Sequence, residues 1–175
     1  MTGPSGVGKG TLIRELCRHF PELRLSVSAT TRPPRSGEEE GREYHFLAPE
    51  DFDRRIAAGE FLEHATYAGN RYGTLRSEVE RDDPVVLEIE VQGARQVREA
   101  LPEAVQVFIA PPSTEVLRER LVARGTDSPE VIRRRLEVAE EELRAKDEFP
   151  HVVVNDDLGR AVQELRDLVA TMWRP

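Results

Sequence analysis

The sequence opens with MTGPSGVGKGT (residues 1–11), a glycine-rich run that holds a single lysine. Gly3, Gly8 and Lys9 fit the G-x-x-x-x-G-K part of the phosphate-loop pattern, in which backbone N–H groups surround a phosphate and the lysine reaches the outer phosphates. Glycine permits the dihedral angles and the close approach that this arrangement requires. Apolar residues at helical spacing predict a helix over Lys9–Phe20, and its free N-terminal N–H groups favour an anion there. The run therefore predicts a nucleotide-phosphate site at the start of the first helix.

The position after the lysine departs from the strict pattern, which has serine or threonine there. Gly10 occupies that position and Thr11 follows it. We expect either the Thr11 hydroxyl or a water molecule to stand next to Mg²⁺, the ion that accompanies nucleotide phosphates. An ordinary glycine-rich turn is the alternative, and the order of lysine and amphipathic helix argues against it.

The start of the chain is unusual for such a loop, which normally joins a buried strand to its helix. Only Met1 and Thr2 precede Gly3. Because a central strand of a parallel sheet is buried on both faces, we expect the natural chain to begin upstream and the sequence in this form to be less stable.

The composition fits one globular domain with an acidic charge balance. The chain has 175 residues, with 25 Lys and Arg against 33 Asp and Glu, which gives a formal net charge of −8. This balance argues against a general nucleic-acid binder, which needs clustered cationic charge. No apolar run approaches the roughly 20 residues that cross a bilayer, and no secretory leader is visible. The single Cys17 excludes an intrachain disulfide, so we expect a cytoplasmic protein without nucleic-acid or membrane partners.

Apolar strands alternate with amphipathic helices over most of the chain. Expected strands span 25–29, 84–91, 105–110 and 152–154, and expected helices span 9–20, 113–124, 128–146 and 158–173. This alternation predicts an α/β fold with a parallel sheet. Residues 30–81 break the rhythm with short strands and little helix, which indicates an insertion that stands off the main sheet.

A second segment, SVSATTRPPRSGEEEGREYHF (residues 26–46), is more specific than the phosphate loop. Together the two resemble the guanylate kinase family, whose members phosphorylate GMP with ATP. Further matching segments are FLE (61–63), GNRYGT (69–74), EIEVQG (88–93), RLVARGT (120–126), RL (135–136) and ND (155–156). The resemblance covers essentially the whole chain from Gly3.

The resemblance implies a P-loop, three-layer α/β/α fold with a central parallel sheet. It also implies a division of a single domain into three parts, which are a core (1–29, 82–117 and 149–175), a small mixed GMP-binding insertion (about 30–81) and a helical lid (about 118–148).

The phosphate of GMP is expected to meet a basic loop. Arg32 and Arg35 lie three residues apart on a proline-stiffened segment, and arginine can hold a phosphate dianion with paired hydrogen bonds. By the resemblance, Tyr44 and Tyr72 add hydroxyl donors to the same phosphate. A solvated basic loop and packed aromatic rings are equally acceptable readings of these residues taken singly.

The guanine base presents two adjacent N–H donors, which one carboxylate can accept together. The resemblance assigns this role to Glu63, with the hydroxyls of Ser28 and Thr74 at the neighbouring base edge. A site built on such polar pairs rejects the wrong base because its buried groups would be left unpaired. Glu63 taken alone is better explained as an exposed strand carboxylate.

Two further carboxylates, Glu88 and Glu90, lie two apart near the end of an expected strand and so face the same way. The family usually has aspartate at the Glu90 position, where it helps hold the guanine. Glu88 is a weaker candidate for a place near Mg²⁺, directly or through water. Paired carboxylates that cap a strand end beside arginines are the alternative.

Arginines crowd the implied lid. Arg120, Arg124 and Arg135 match family positions, and cations there would stabilise charge on the transferring phosphoryl group. By the resemblance Asn155 lies beside the adenine of ATP, and a plain strand-to-helix turn is the alternative. The expected catalytic group is Lys9, Arg32, Arg120, Arg124 and Arg135. The expected ATP-binding group is Gly3, Pro4, Ser5, Gly6, Val7, Gly8, Lys9, Gly10, Thr11 and Asn155.

The expected activity is transfer of a phosphoryl group from ATP to GMP with Mg²⁺, and ATP and GMP are the expected small-molecule partners. One rival is a kinase that acts on another phosphorylated small molecule, which would not need Glu63. A second rival is a non-catalytic guanylate-kinase-like binding module, which typically has a degraded phosphate loop. Lys9 and the lid arginines are intact here, and this favours the enzyme. Whether the chain is a monomer or a homo-oligomer stays open.

Overall fold

The computed structural model describes residues 1–67, 69–123, 125 and 128–172. Its elements are, in chain order, α1 (Lys9–His19), β1 (Arg24–Leu25), β2 (Ser28–Thr30), β3 (Tyr44–Phe46), α2 (Pro49–Ala57), β4 (Phe61–Tyr67), β5 (Asn70–Leu75), β6 (Val85–Val86), α3 (Val91–Ala100), β7 (Val107–Ala110), α4 (Thr114–Ala123), α5 (Pro129–Arg144), β8 (His151–Val154) and α6 (Leu158–Met172). Helices and parallel strand pairs occur together, which confirms the predicted α/β class. Among the described residues, no helix has both the length and the apolar character that a bilayer span requires.

The chain divides into two compact units, Met1–Pro21 with Val105–Pro175 and Glu22–Ala104. We call them the first and the second unit. These boundaries were not those expected for the core, insertion and lid, and that division stays a prediction.

The first unit is built around β7, which is buried along its whole length. It pairs in parallel with β8 on one side. On the other side Thr2 makes a parallel bridge, with its N–H donating to Val107 at 2.9 Å and its carbonyl accepting from Ile109 at 2.7 Å. Helix α1 packs against α6, and its Leu12 and Ile13 are fully buried. The phosphate loop thus follows directly from a residue that is paired with the central strand of this unit.

The second unit contains a mixed sheet of order β3-β2-β5-β4. Strands β2 and β3 are parallel, whereas β5 is antiparallel to both of its neighbours. Phe52 stacks on Phe61 with ring centroids 4.4 Å apart, and both rings are buried with Ala29 in one apolar cluster. Helix α3 packs against β4, which places the start of this helix beside the middle of the strand.

Three of the expected strands are shorter than predicted, and the one expected over 105–110 begins at Val107. The stretch 25–29 is divided into β1 and β2, because the Val27 N–H donates to the Glu78 carboxylate at 3.0 Å instead of joining a ladder. Strand β6, expected over 84–91, spans Val85–Val86 and pairs in parallel with the two-residue β1. The prediction that Glu88 and Glu90 lie near the end of this strand and so face the same way is therefore wrong in its premise, since both residues lie beyond the strand's end.

Candidate functional site

The phosphate loop is shaped by close contacts that only glycine allows. Gly3 has φ +141°, and a Cβ there would lie 2.2 Å from the Ile109 carbonyl oxygen on β7. Gly8 has φ +101°, and a Cβ there would lie 2.6 Å from Nδ2 of Asn155. The sequence pattern is thus explained by packing against two neighbouring segments as well as by backbone conformation.

Lys9 lies folded over the loop. Its Nζ donates to the carbonyl oxygen of Gly3 at 2.5 Å and to that of Pro4 at 3.2 Å. These charge-assisted bonds hold the ammonium group at the rim of the loop. The ammonium group is therefore held against the backbone of the loop.

The side chains of Asn155 and Arg120 both form hydrogen bonds with the backbone of the phosphate loop. The Asn155 amide donates to the Val7 carbonyl oxygen at 2.7 Å. The Arg120 guanidinium donates to the same oxygen at 3.2 Å and to the Asn155 carbonyl at 2.8 Å. Val7 is fully buried, so these bonds satisfy a polar group that water cannot reach. Sequence reasoning missed this supporting contact, because it links three segments that are distant in the chain.

Helix α5 contributes two ionisable side chains near the phosphate loop, Arg135 and Glu142. Arg135 donates to the Ser5 hydroxyl at 2.7 Å. Glu142, seven residues on and so on the same helix face, is 8% exposed. Burial raises the pKa of Glu142 to about 7, against the opposing charge of Lys9. Glu142 was not predicted, although its seven-residue spacing from Arg135 could have suggested a shared face. The predicted Arg124 lies outside the described residues.

In the second unit, Arg32 is held by an acidic neighbour. Both of its terminal nitrogens are 2.9 Å from the Glu38 carboxylate, and its side chain is 11% exposed. The hydrogen bonds to Glu38 raise the pKa of Arg32, and the Arg32 hydrogen bond lowers the pKa of Glu38. Glu38 also accepts from the Arg35 backbone N–H at 2.7 Å, while the Arg35 side chain is exposed. The guanidinium of Arg32 is thus paired with a carboxylate of its own loop, which was not predicted from the sequence.

The predicted tyrosines lie beside this arginine. The Arg32 guanidinium is 5.2 Å from the centre of the Tyr44 ring, and the Tyr44 and Tyr72 rings meet edge to face at 6.1 Å. Burial and then the negative charge of Glu88 raise the pKa of the Tyr44 hydroxyl. Ser28 is half-buried and pairs in register with Tyr44. The structure therefore brings these predicted residues together on one sheet.

Glu63 is buried, not exposed. It is 4% exposed, and Thr74 donates its hydroxyl proton to Oε1 of Glu63 at 2.7 Å. Burial raises the pKa of Glu63, although the Thr74 hydrogen bonds oppose the rise. Its other oxygen faces α3 at Gly93, where a Cβ would lie 2.3 Å from Oε2. The reading of Glu63 as an exposed strand carboxylate is therefore wrong.

The remaining acidic and hydroxyl candidates differ in exposure. Glu90 is half-buried at the N-cap of α3, and its carbonyl oxygen accepts from Ala94 at 2.9 Å. Glu88 is exposed. Thr11 accepts a hydrogen bond from Arg14 at 3.1 Å. Within the described residues, no group of three or more His, Cys, Asp or Glu side chains is arranged to hold a metal ion.

Comparison with known proteins gives consistent matches over almost the full length. The family model described as guanylate kinase matches residues 1–172. The guanylate kinase of Symbiobacterium thermophilum is 54% identical over 173 residues, which are 97% of this chain and 82% of the relative. That of Synechococcus sp. (strain CC9902) is 56% identical over 169 residues, with 94% and 90% covered. The crystal structure of guanylate kinase from Anaplasma phagocytophilum superposes with a TM-score of 0.77 at 32% identity, covering 97% of this chain and 83% of that one.

Proposed function

The chain belongs to the guanylate kinase family, and from this membership we propose that it transfers the terminal phosphoryl group of ATP to GMP, yielding ADP and GDP. A phosphate oxygen of GMP forms the new bond to the γ-phosphorus of ATP. The bond between that phosphorus and the β,γ-bridging oxygen breaks, and ADP leaves with the electron pair. The buried Glu63–Thr74 pair supports GMP as acceptor most directly. Burial of a carboxylate costs free energy, and hydrogen bonds from the N–H donors of a bound guanine would offset that cost.

The guanine site is proposed to lie at Glu63. One carboxylate accepts both the N1–H and the 2-amino group of guanine, and adenine lacks this pair of donors. The hydroxyls of Thr74 and Ser28 extend the polar contact along the base, and Glu90 is proposed to contribute from the start of α3. An adenine base would leave the buried carboxylate without its donors, which explains the proposed discrimination.

The phosphate of GMP is proposed to bind at Arg32, Arg35, Tyr44 and Tyr72. The Glu38 carboxylate that holds Arg32 at 2.9 Å has the charge sign and the paired oxygens of a phosphate. Binding of GMP would exchange one anion for another at a guanidinium that is already oriented. Such orientation before binding reduces the cost of ordering the site.

ATP is proposed to bind at the phosphate loop, residues 3–11. Its phosphates would accept the hydrogen bonds that Lys9 now gives to the carbonyl oxygens of Gly3 and Pro4. Arg135, held at Ser5, and Arg124 are proposed to add positive charge around the transferring group, with Arg120 and Asn155 keeping the loop in shape. Catalysis by orientation and charge stabilisation needs no covalent intermediate.

Mg²⁺ is proposed to arrive with ATP. A magnesium ion on nucleotide phosphates keeps several waters and needs only one or two protein ligands, which fits a chain whose described residues offer no acidic cluster. Thr11 or Glu88 would contact it, directly or through water. When bound, the ion neutralises charge on the phosphates.

We propose the cytoplasm as the location and no nucleic-acid or membrane partner, which the acidic charge balance of the chain supports. The proposed function is tested by an assay that couples ADP release to a spectroscopic signal, with ATP and Mg²⁺ and one nucleoside monophosphate at a time. GMP-dependent ADP release supports it. Release with AMP, CMP or UMP at the same rate supports a kinase of other specificity, and no release from the folded protein supports a binding module.

A further inference from the structure

Strand β4 lies at one end of the strand order, so among the described residues one side of its backbone has no neighbouring strand in the sheet. Edge strands present N–H and C=O groups that need other partners. At His64 one side chain of α3 supplies both. Oε1 of Gln96 accepts from the His64 N–H at 3.1 Å, and Nε2 of Gln96 donates to the His64 carbonyl at 2.7 Å. The primary amide therefore pairs with the strand as a residue of an adjacent strand would.

The two hydrogen bonds between Gln96 and His64, which we call the clamp, lie next to Glu63. The N–H that Gln96 binds belongs to the peptide bond between Glu63 and His64. Because this peptide bond is attached to the Cα of Glu63, a fixed orientation of the peptide restricts the direction of the Glu63 side chain. This contact lies beside an irregularity of the ladder, because the register of β4 with β5 shifts between Phe61 and Glu63. Such irregularities leave part of the ladder unpaired and bend the strand.

The same helix also touches the carboxylate itself. Gly93 lies three residues before Gln96, hence on the same face of α3. The space between Gly93 and Oε2 of Glu63 cannot hold a methyl group. The distance between helix and strand is therefore small at Gly93, and the Gln96 amide adds a polar contact between the two elements at His64.

We propose that Gln96 is a specificity-positioning residue, which holds Glu63 so that its carboxylate accepts both N–H donors of guanine. This inference rests on the proposed GMP site. Two parallel hydrogen bonds require alignment that one bond does not. Loss of the clamp should therefore weaken recognition of the 2-amino group more than it weakens binding of the rest of the nucleotide.

The test compares GMP with inosine monophosphate, which lacks the 2-amino group. Q96M keeps the side-chain length and removes both hydrogen bonds to His64, together with the 3.4 Å hydrogen bond from Nε2 to the Gln92 carbonyl. Q96E keeps an acceptor for the His64 N–H but has no donor for its carbonyl. Q92A is the matched control, since Gln92 lies one turn earlier on the same helix and is exposed. In Q96M and Q96E we expect the ratio of kcat/KM for GMP over inosine monophosphate to fall about tenfold, with kcat and the KM for ATP little changed. Q92A should keep the wild-type ratio.

A double-mutant cycle then asks whether Gln96 acts through Glu63. Adding Q96M to E63Q should leave the ratio where E63Q alone puts it, because the aligned carboxylate is already gone. An unchanged ratio in the single variants, or a further independent loss in the double variant, would overturn the inference. If thermal unfolding shows that Q96M does not fold, Q96E carries the same comparison. Calorimetric binding of GMP and inosine monophosphate gives the ratio without turnover, so a wild-type protein that binds GMP but does not phosphorylate it would refute the proposed function alone.

Discussion

Glu142 on α5 is a buried carboxylate whose ionisation should weaken the fold. Its pKa lies at about 7 in the folded protein against an ordinary value of 4.5, mainly because of burial. Between these two values the folded chain holds a proton that the unfolded chain has released. Stability due to this group is therefore full below about pH 4.5 and is lost as the pH rises through about 7.

The size of the effect follows from the two pKa values. The rise from 4.5 to about 7 corresponds to about 3 kcal/mol at about 1.36 kcal/mol per pH unit. Glutamine has nearly the same shape and carries no charge at any pH. E142Q should therefore gain up to about 3 kcal/mol over the wild type in going from pH 5 to pH 8, a large share of a domain's stability of about 5–15 kcal/mol.

The assay is urea unfolding of both proteins at several pH values between 5 and 8. All other titrating groups are shared, so the difference between the two proteins isolates residue 142. E141Q removes an exposed carboxylate from the same helix and should show no comparable pH-dependent gain. If the difference in the free energy of unfolding between E142Q and the wild type is the same at pH 5 and at pH 8, the pKa of Glu142 is not raised in the folded protein.

Three further outcomes follow from the site geometry. K9A should abolish turnover with only a modest loss of GMP affinity, measured by coupled assay and calorimetry, because Lys9 belongs to the proposed ATP site; normal turnover in the folded variant contradicts the phosphate-loop assignment. G93A should raise the KM for GMP at least tenfold, since the added methyl group would lie 2.3 Å from Oε2 of Glu63 and must displace it; an unchanged KM excludes that contact from GMP binding. Because burial raises the pKa of Glu63 and the proposed guanine site uses the ionised form, the KM for GMP should rise on acidification, beginning at a higher pH than for an ordinary glutamate; a KM that rises no earlier in the wild type than in E63Q contradicts this role.

The parts of the molecule that depend on local chemistry were predictable from the sequence. Glycine spacing around Lys9 and the apolar pattern after it predicted the loop and α1, which the structure has at Lys9–His19. The helix expected over 128–146 corresponds to α5 (Pro129–Arg144), whose N-cap residue Ser128 accepts from the Val131 N–H. These features involve residues within one or two helical turns of each other.

The parts that depend on distant contacts were not predictable. Strand β1 ends early because Val27 turns its N–H to Glu78, 51 residues away. The depth of Glu63 depends on how closely α3 approaches it at Gly93, and strand periodicity alone gives the face of a residue but not its burial. Likewise the Asn155 contact with Val7 joins segments 148 residues apart, which no local pattern encodes.

Phosphorylation of GMP and its proposed selection through Glu63 can be tested together. The most direct measurement is ADP release from ATP and Mg²⁺ with GMP, AMP, CMP or UMP, made on the wild-type protein and on E63Q. We expect ADP release with GMP far above the other three in the wild type, and a specific loss of GMP turnover in E63Q. Equal rates with all four monophosphates would contradict the proposed specificity for GMP. An E63Q protein that still prefers GMP to AMP as strongly as the wild type would contradict the proposed role of Glu63.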